Sequence, residues 1–592
     1  MARNTIAGPK INIGFRLTGV DFDTFITLNL GVTLAAKNRR EAAINAAKSG
    51  QMTHRQILLV LAGLMSGMFL AALDQSVVGS AMRTIADDLD GLALQAWATT
   101  AYLITSTIST PIYGKLGDLF GRRPLFMIAI VIFVIGSLTS GLATSMYELA
   151  AYRALQGLGA GGLFSLALTI LADIVPPRER ARYQGMFLAV FGTSSVIGPV
   201  VGGLFAGIDQ ILFIDGWRWV FLINLPIGIV SMFMVMTFLH VPHTPKQQKI
   251  DWWGAVTIIM AVVPILLVAE QGREWGWGSS LAVLMYVIGG VGIISFILVE
   301  RAMGESALIP LNLFKNATFA RTQIVGIIVG VGMFGGMIVL PLIIQVAYGA
   351  NPTEAGFLML PMVAGMMTAT ILSGRITSKT GHYGIFMKTG TTTLLTGYVY
   401  MLLVLTATSP IWVMSIGMIV IGLGLGQLMQ TLMMASQASV DSKDIGVATS
   451  SATFFRQMGG TLGVAIFMSI LFGQVGDKIG AAFSRTDVQE GIKSALSDPS
   501  VSGNPANTKI LEMLSGEQGA AAAGITSDSS FLIGVDERLS FPFRIGFVES
   551  SLTVFLWAAV FVGVALVITF FIKEVPLRNK SASAEAAEAA MG

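Results

Sequence analysis

Gly114-Lys115-Leu116-Gly117-Asp118-Leu119-Phe120-Gly121-Arg122-Arg123-Pro124 lies between two long apolar segments. Three glycines and four charges in such a place read as a tight turn at a membrane surface. Glycine has no Cβ, so it tolerates φ > 0 and lets two helix ends approach. Asp118 is placed to cap a helix or pair with a cation, and the Lys/Arg cluster marks the cytoplasmic side.

The rest of the chain supports a membrane setting. It has 592 residues, 54% hydrophobic and only 12% charged, with mean hydropathy +0.73. About a quarter of the residues of a soluble domain are charged. Apolar runs of about eighteen residues or more recur, each long enough to cross ~30 Å of hydrocarbon as a helix. The reading is an all-α polytopic membrane protein. The net charge of +3 points to no nucleic-acid partner, because the basic residues sit in short loops. With no cysteine, disulfides, thiol chemistry and Cys-based metal sites are excluded. His54, His240, His243 and His382 form no ligand-spaced pair, so neither a metal nor a cofactor is expected.

Fourteen spans are expected, from 57–82 and 93–113 at one end to 447–474 and 548–572 at the other. They divide into a six-helix half (56–240), two linker helices with their loops (241–318) and a second six-helix half (319–573). An outer loop at 475–547 interrupts the second half, and a polar tail at 574–592 reads as disordered. Residues 1–55 carry eight Lys/Arg against three Asp/Glu and show no signal-peptide cleavage pattern. They read as a basic cytoplasmic tail, or else translation begins at Met52. Short loops on one side hold fifteen Lys/Arg, against Arg83, Arg218 and Arg273 on the other, which places both termini inside. A diverged repeat agrees with two halves. Gly374 to Gly381 keeps the spacing of Gly114 to Gly121, with Ser378 in place of the acid, and Gly422-Leu423-Gly424 echoes Gly157-Leu158-Gly159.

Two ionisable residues stand out within the spans. Asp74 lies about 26 Å along span 1 by helix rise, and Arg153 falls at a similar depth in span 4. An acid at that depth is a functional candidate by default. Burial penalises its charge and a nearby guanidinium favours it, a balance suited to proton exchange. The competing readings are a carboxylate in the headgroup layer and an arginine snorkelling at the membrane edge. Arg456 lies about 15 Å into span 13, near the bilayer midplane, with no acid at matching depth. Its partners would be carbonyls, water or an anionic group of a substrate.

The stretch 114–124 resembles the signature loop between helices 2 and 3 of the major facilitator superfamily of transporters. In span 5, Gly185, Ser194, Gly198-Pro199 and Gly202-Gly203 resemble that superfamily's antiporter motif, with Ser194 where a third glycine is usual. Leu73 to Val78, Trp217 to Pro226, Phe455 to Gly460 and the fourteen spans are together similar to the fourteen-helix drug:proton antiporters, which include bacterial multidrug and quaternary-ammonium exporters. The resemblance covers about residues 52–575. It implies two halves rocking about a central site in a bacterial cytoplasmic membrane. It also implies a monomer that is not an enzyme and that expels hydrophobic compounds as protons enter, conferring antibiotic resistance.

Carried over by position, Asp74 and Arg153 would couple protons. Asp118 would clamp the cytoplasmic ends of the halves, with Lys115, Arg122 or Arg123 and the start of span 13 near Lys443–Gly446, and Asp173 would share those arginines. Gln156, Gln345, Gln427 and Arg456, with the abundant Met and Phe, are candidates for lining the substrate cavity. Export of lipids or lipid precursors is the alternative function, with proton-coupled uptake behind it. A membrane enzyme or receptor built on loop 475–547 is a third class that no motif supports.

Overall fold

The computed structural model describes residues 54–89, 94–239, 250–441, 444–515, 532 and 534–577. Among them are fourteen helices of fifteen residues or more. They are α1 His54–Asp88, α2 Gln95–Phe120, α3 Arg122–Gly141, α4 Met146–Ile174, α5 Pro177–Ala206, α6 Asn224–Phe238 and α7 Trp252–Trp275. There follow α8 Ser280–Met303, α9 Ala317–Tyr348, α10 Leu360–Thr380, α11 Gly384–Val404, α12 Ile411–Ala438, α13 Ile445–Phe483 and α14 Glu537–Phe570. Eleven membrane-spanning candidates stand out by length and hydropathy alone. Several hydroxyls of the polar helices α2 and α11 bond within their own helix. Thr105 and Thr107 donate to the carbonyls of Ala101 and Leu103, and Thr391, Thr392 and Thr396 do likewise in α11. A donor spent on its own helix does not face hydrocarbon unpaired.

The opening stretch departs from the turn that its sequence suggests. α2 continues through Gly114 and Gly117 to Phe120, and only Gly121, at φ 92°, breaks the chain before α3. The first two glycines serve close packing. A Cβ on Gly114 would overlap the Ser450 side chain of α13, and one on Gly117 would press on Leu166 and approach Arg122. The second copy also ends its helix at a positive-φ glycine. α10 runs to Thr380, and Gly381 (φ 79°) closes it with an N–H donated to the Thr377 carbonyl.

Two further boundaries differ from expectation. The loop read as 475–547 is helical at both ends, because α13 continues to Phe483 and α14 begins at Glu537. Phe467, Leu471, Val475, Ile479 and Ala482 form a buried stripe at helical spacing that outweighs the charges around it. Phe483 closes edge-on against Phe543 of α14, with ring centroids 5.5 Å apart. At 39 residues, α13 is about 58 Å long, well beyond the ~30 Å of hydrocarbon. The start of the tail is also ordered. Glu574 Oε1 accepts from the backbone N–H of Tyr383 (2.7 Å) and Gly384 (3.2 Å), and Leu577 is buried. Residues 578–592, like 1–53, lie outside the described part.

The helices of each half interlock, with α4 against α2 and α3, and α12 against α10 and α11. Between the halves, α2 and α4 pack on α13, and α5 packs on α10. α7 lies on the first of these seams. Its Ile258, Ala261, Val262 and Leu266 share one apolar cluster with Ile104 and Ile108 of α2 and Phe454 of α13.

Candidate functional site

Asp74 is 1% exposed, at the centre of a polar cluster drawn from five helices. Its Oδ2 accepts from Arg153 Nη1 at 2.5 Å. Its Oδ1 accepts from Gln156 Nε2 at 2.8 Å and from Asn224 Nδ2 at 2.6 Å. Asn224, at the start of α6, also donates to Ser137 Oγ of α3 (2.9 Å), which donates in turn to the Phe221 carbonyl (2.9 Å). The Arg153 guanidinium lies 4.1 Å from the centroid of the Tyr102 ring in α2. One guanidinium and two side-chain amides thus hold the carboxylate.

Sequence reading reached Asp74 and Arg153 but placed Gln156 among the cavity candidates. Gln156 in fact spends both ends of its amide here, its Oε1 accepting from Arg153 at 2.7 Å. Tyr102, Ser137 and Asn224 were missed. The available signal was Asn224, a lone amide inside the apolar stretch 217–226.

The glycine-rich stretch builds a second cluster. Arg122 Nη2 pairs with Asp118 Oδ1 at 2.7 Å, and the same guanidinium grips Asp173 at the end of α4. The Asp118 carboxylate rests on the second residue of α13, where a Cβ on Gly446 would overlap it. An anion at a helix N-terminus is favoured by the unsatisfied N–H groups there. Arg122 is thus the cation that closes this cluster. Lys115 donates to the Glu305 carbonyl (3.1 Å), and Arg123 to the Met236 carbonyl (2.6 Å). Lys443 lies outside the described residues. Two more bonds join the halves and were not foreseen. Arg180 Nη1 donates to Gln437 Oε1 at 2.5 Å, and Thr110 Oγ1 donates to Gln457 Oε1 at 2.9 Å.

In α5 the small residues face two neighbours. Gly198 and Gly202 admit Ser76 and Ser80 of α1, and Gly185 faces Ile371 and Thr370 of α10. Gly203 looks into open space, so its place in the motif has no packing role here. Pro199 sits inside the helix, and Ser194 is buried. Close to this motif, Met65, Ser66 and Phe69 of α1 and Met186, Ala189 and Val190 of α5 line an almost wholly apolar cleft of about 470 Å³. That volume suits a small organic molecule.

The other cavity candidates scatter. Gln427 accepts from Thr389 (2.6 Å) in α11, and Gln345 is half-buried near the far end of α9. Arg456 lines a separate cleft with Thr322, Val329, Met429, Leu432 and Met433.

A family model described as Major Facilitator Superfamily matches residues 64–464. The chain belongs to the major facilitator superfamily. Within it, the chain is 33% identical over 541 residues to the multidrug transporter protein MdtP of Bacillus subtilis, covering 90% of this chain and 96% of that one. It is also 33% identical over 446 residues to multidrug resistance protein 3 of the same organism, covering 74% and 85%. Among solved structures it is similar to the proton:xylose symporter XylE, with TM-score 0.54, 14% identity and coverage of 90% and 100%. That likeness speaks to the fold alone. The protein is therefore a multi-pass membrane transporter of small molecules and not an enzyme.

Proposed function

We propose that this superfamily member is a proton-coupled exporter of hydrophobic and amphipathic compounds, working by alternating access in a bacterial cytoplasmic membrane with both termini inside. The observation that carries the reading is Asp74, a fully buried acid held by one cation and two amides from other parts of the first half. The relatives named as multidrug transporters support the cargo class, and the apolar cleft between α1 and α5 supplies a surface for it. Proton entry down a membrane potential releases about 2.3 kcal/mol per charge per 100 mV. Protonating Asp74 replaces an ion pair by a neutral contact and frees Arg153. The ties among α1, α4 and α6 then loosen. At the other end, the Asp118–Arg122–Asp173 cluster on the α13 terminus holds the halves together, and inward opening breaks it.

Asp74→Asn tests this assignment. The amide keeps the shape but cannot take a proton, so dye efflux driven by a pH gradient should disappear while dye binding persists. Full gradient-driven efflux by the variant would refute it. The second reading, a lipid or lipid-precursor cargo, draws support from Arg456, unpaired among the described residues.

A further inference from the structure

We infer that Arg456 is the docking cation for an anionic group on the transported compound, so that the cargo includes amphipathic organic anions such as carboxylates. The inference rests on the exporter reading and deepens it by naming a class of substrate.

Arg456 sits about 16 Å along α13 from Ile445, in the middle of the second half. Among the described residues its guanidinium makes no hydrogen bond and no ion pair. The same half places no acid at its depth: Glu354 lies in the short helix Pro352–Leu358, and Asp441 and Asp444 precede α13. α9, α10, α11 and α12 contain no Asp or Glu, and the first acid of α13 is Asp477, more than twenty residues farther along. The acids of α14, Glu537 and Glu549, lie toward its opposite end, where Glu549 pairs with Lys478 and Arg485. In the first half, Asp74, Asp118 and Asp173 are all committed to Arg153 or Arg122.

An arginine cannot shed its proton to escape this position, and a half-buried cation among apolar side chains at membrane depth calls for a partner. The crevice it lines holds about 10 Å³, room for a single water, and widens only as the halves move; apart from Thr322 it is apolar, with Val329, Met429, Leu432 and Met433 on the walls. Unbranched methionines adapt to varied apolar shapes. A ligand with a carboxylate or phosphate head and a greasy body satisfies both features at once, through a two-pronged guanidinium contact and burial of apolar surface. A cation would meet repulsion at the same place.

The test compares two dyes that share a xanthene core, anionic fluorescein and cationic rhodamine 6G, in inside-out vesicles containing the full-length protein. The wild type should accumulate fluorescein. Arg456→Gln should lower that flux by about tenfold or more, the loss of a hydrogen bond to a charged group. Arg456→Lys should retain a substantial part of it, and rhodamine 6G flux should not fall in either variant. Fluorescein flux that Arg456→Gln leaves unchanged overturns the inference. So does an equal loss of both dyes in the Gln and Lys variants, which marks a purely structural arginine. Wild-type transport of rhodamine 6G without fluorescein removes the anion site but leaves export standing, whereas transport of neither removes export too. Adding phosphatidylglycerol to phosphatidylcholine vesicles separates the two sources of such a head. Competition with fluorescein in the wild type identifies a lipid phosphate as an occupant, and no competition identifies the free solute.

Discussion

The two copies of the glycine-punctuated stretch each end a helix at a positive-φ glycine and differ in what they hold. In the first, Asp118 and Arg122 join Asp173 and press on the start of α13, so the turn of one half is fastened to the other half. In the second, Ser378 stands at the acid's place and His382 at the arginine's. There a carboxylate arrives from the tail instead, as Glu574 caps the N-terminus of α11. That contact stays within its own half. A repeated stretch thus serves as a latch between halves in one copy and as a local brace in the other. The side chains at 118 and 122 against those at 378 and 382 account for what each copy can grip.

The largest effect that tests this contrast should come from Arg122→Ala. Two largely buried carboxylates would then face each other without their shared cation, and breaking a buried pair in this way costs about 3–5 kcal/mol. Thermal unfolding should fall markedly, and adding Asp118→Asn and Asp173→Asn should recover much of the loss. A variant as stable as the parent would show that the latch carries no strain of charge.

Gly114→Val should act on the seam rather than on overall stability, because its side chain would overlap Ser450 and push α2 from α13. The chain has no cysteine, so Thr449→Cys, fully buried in α13, is a clean reporter. Its maleimide labelling should speed up several-fold in the valine background. Unchanged labelling would separate the glycines from closure.

Glu574→Ala should cost about 1 kcal/mol, the usual value of a lost helix cap, and should leave Thr449→Cys labelling untouched. If it accelerates labelling as much as Gly114→Val does, the second turn is a latch as well.

The smallest effect concerns the connection between α13 and α14. Arg538 bonds both Asp498 (3.1 Å) and Asp536 (2.9 Å). Hydrogen bonds from Ser500 and Arg538 lower the Asp498 carboxyl below its usual range, and those from Arg538 lower Asp536. Acids shifted down contribute stability above their unfolded value of about 4 and lose it as pH falls through the lowered values. Limited proteolysis of residues 484–536 should therefore rise below about pH 4 and be flat from pH 6 to 8.

Much of this organisation was legible from residues. A charged acid inside an apolar run announces itself, so Asp74, and Arg153 at matching depth, could be found without coordinates. The repeat of Gly114–Gly121 at Gly374–Gly381 gave the two halves. Three things escaped for physical reasons. Glycine reads as a turn former, yet Gly114 and Gly117 sit within a helix, because close approach needs the missing Cβ as much as a turn does. Partners such as Asn224 and Tyr102 come from distant helices, and no local spacing predicts them. The extension of α13 to Phe483 was masked by the charges of Asp477 and Lys478, although its apolar stripe continued beneath them.

The position of α7 makes the two seams between the halves unequal. One seam is the packing of α2 and α4 on α13, the other that of α5 on α10. α7 lies along the first through Ile258, Ala261, Val262 and Leu266. Beside the second stand Gly185, Pro199 and the apolar cleft framed by Met65 and Met186. An inserted helix thereby tells apart the flanks of a molecule built from two repeated halves.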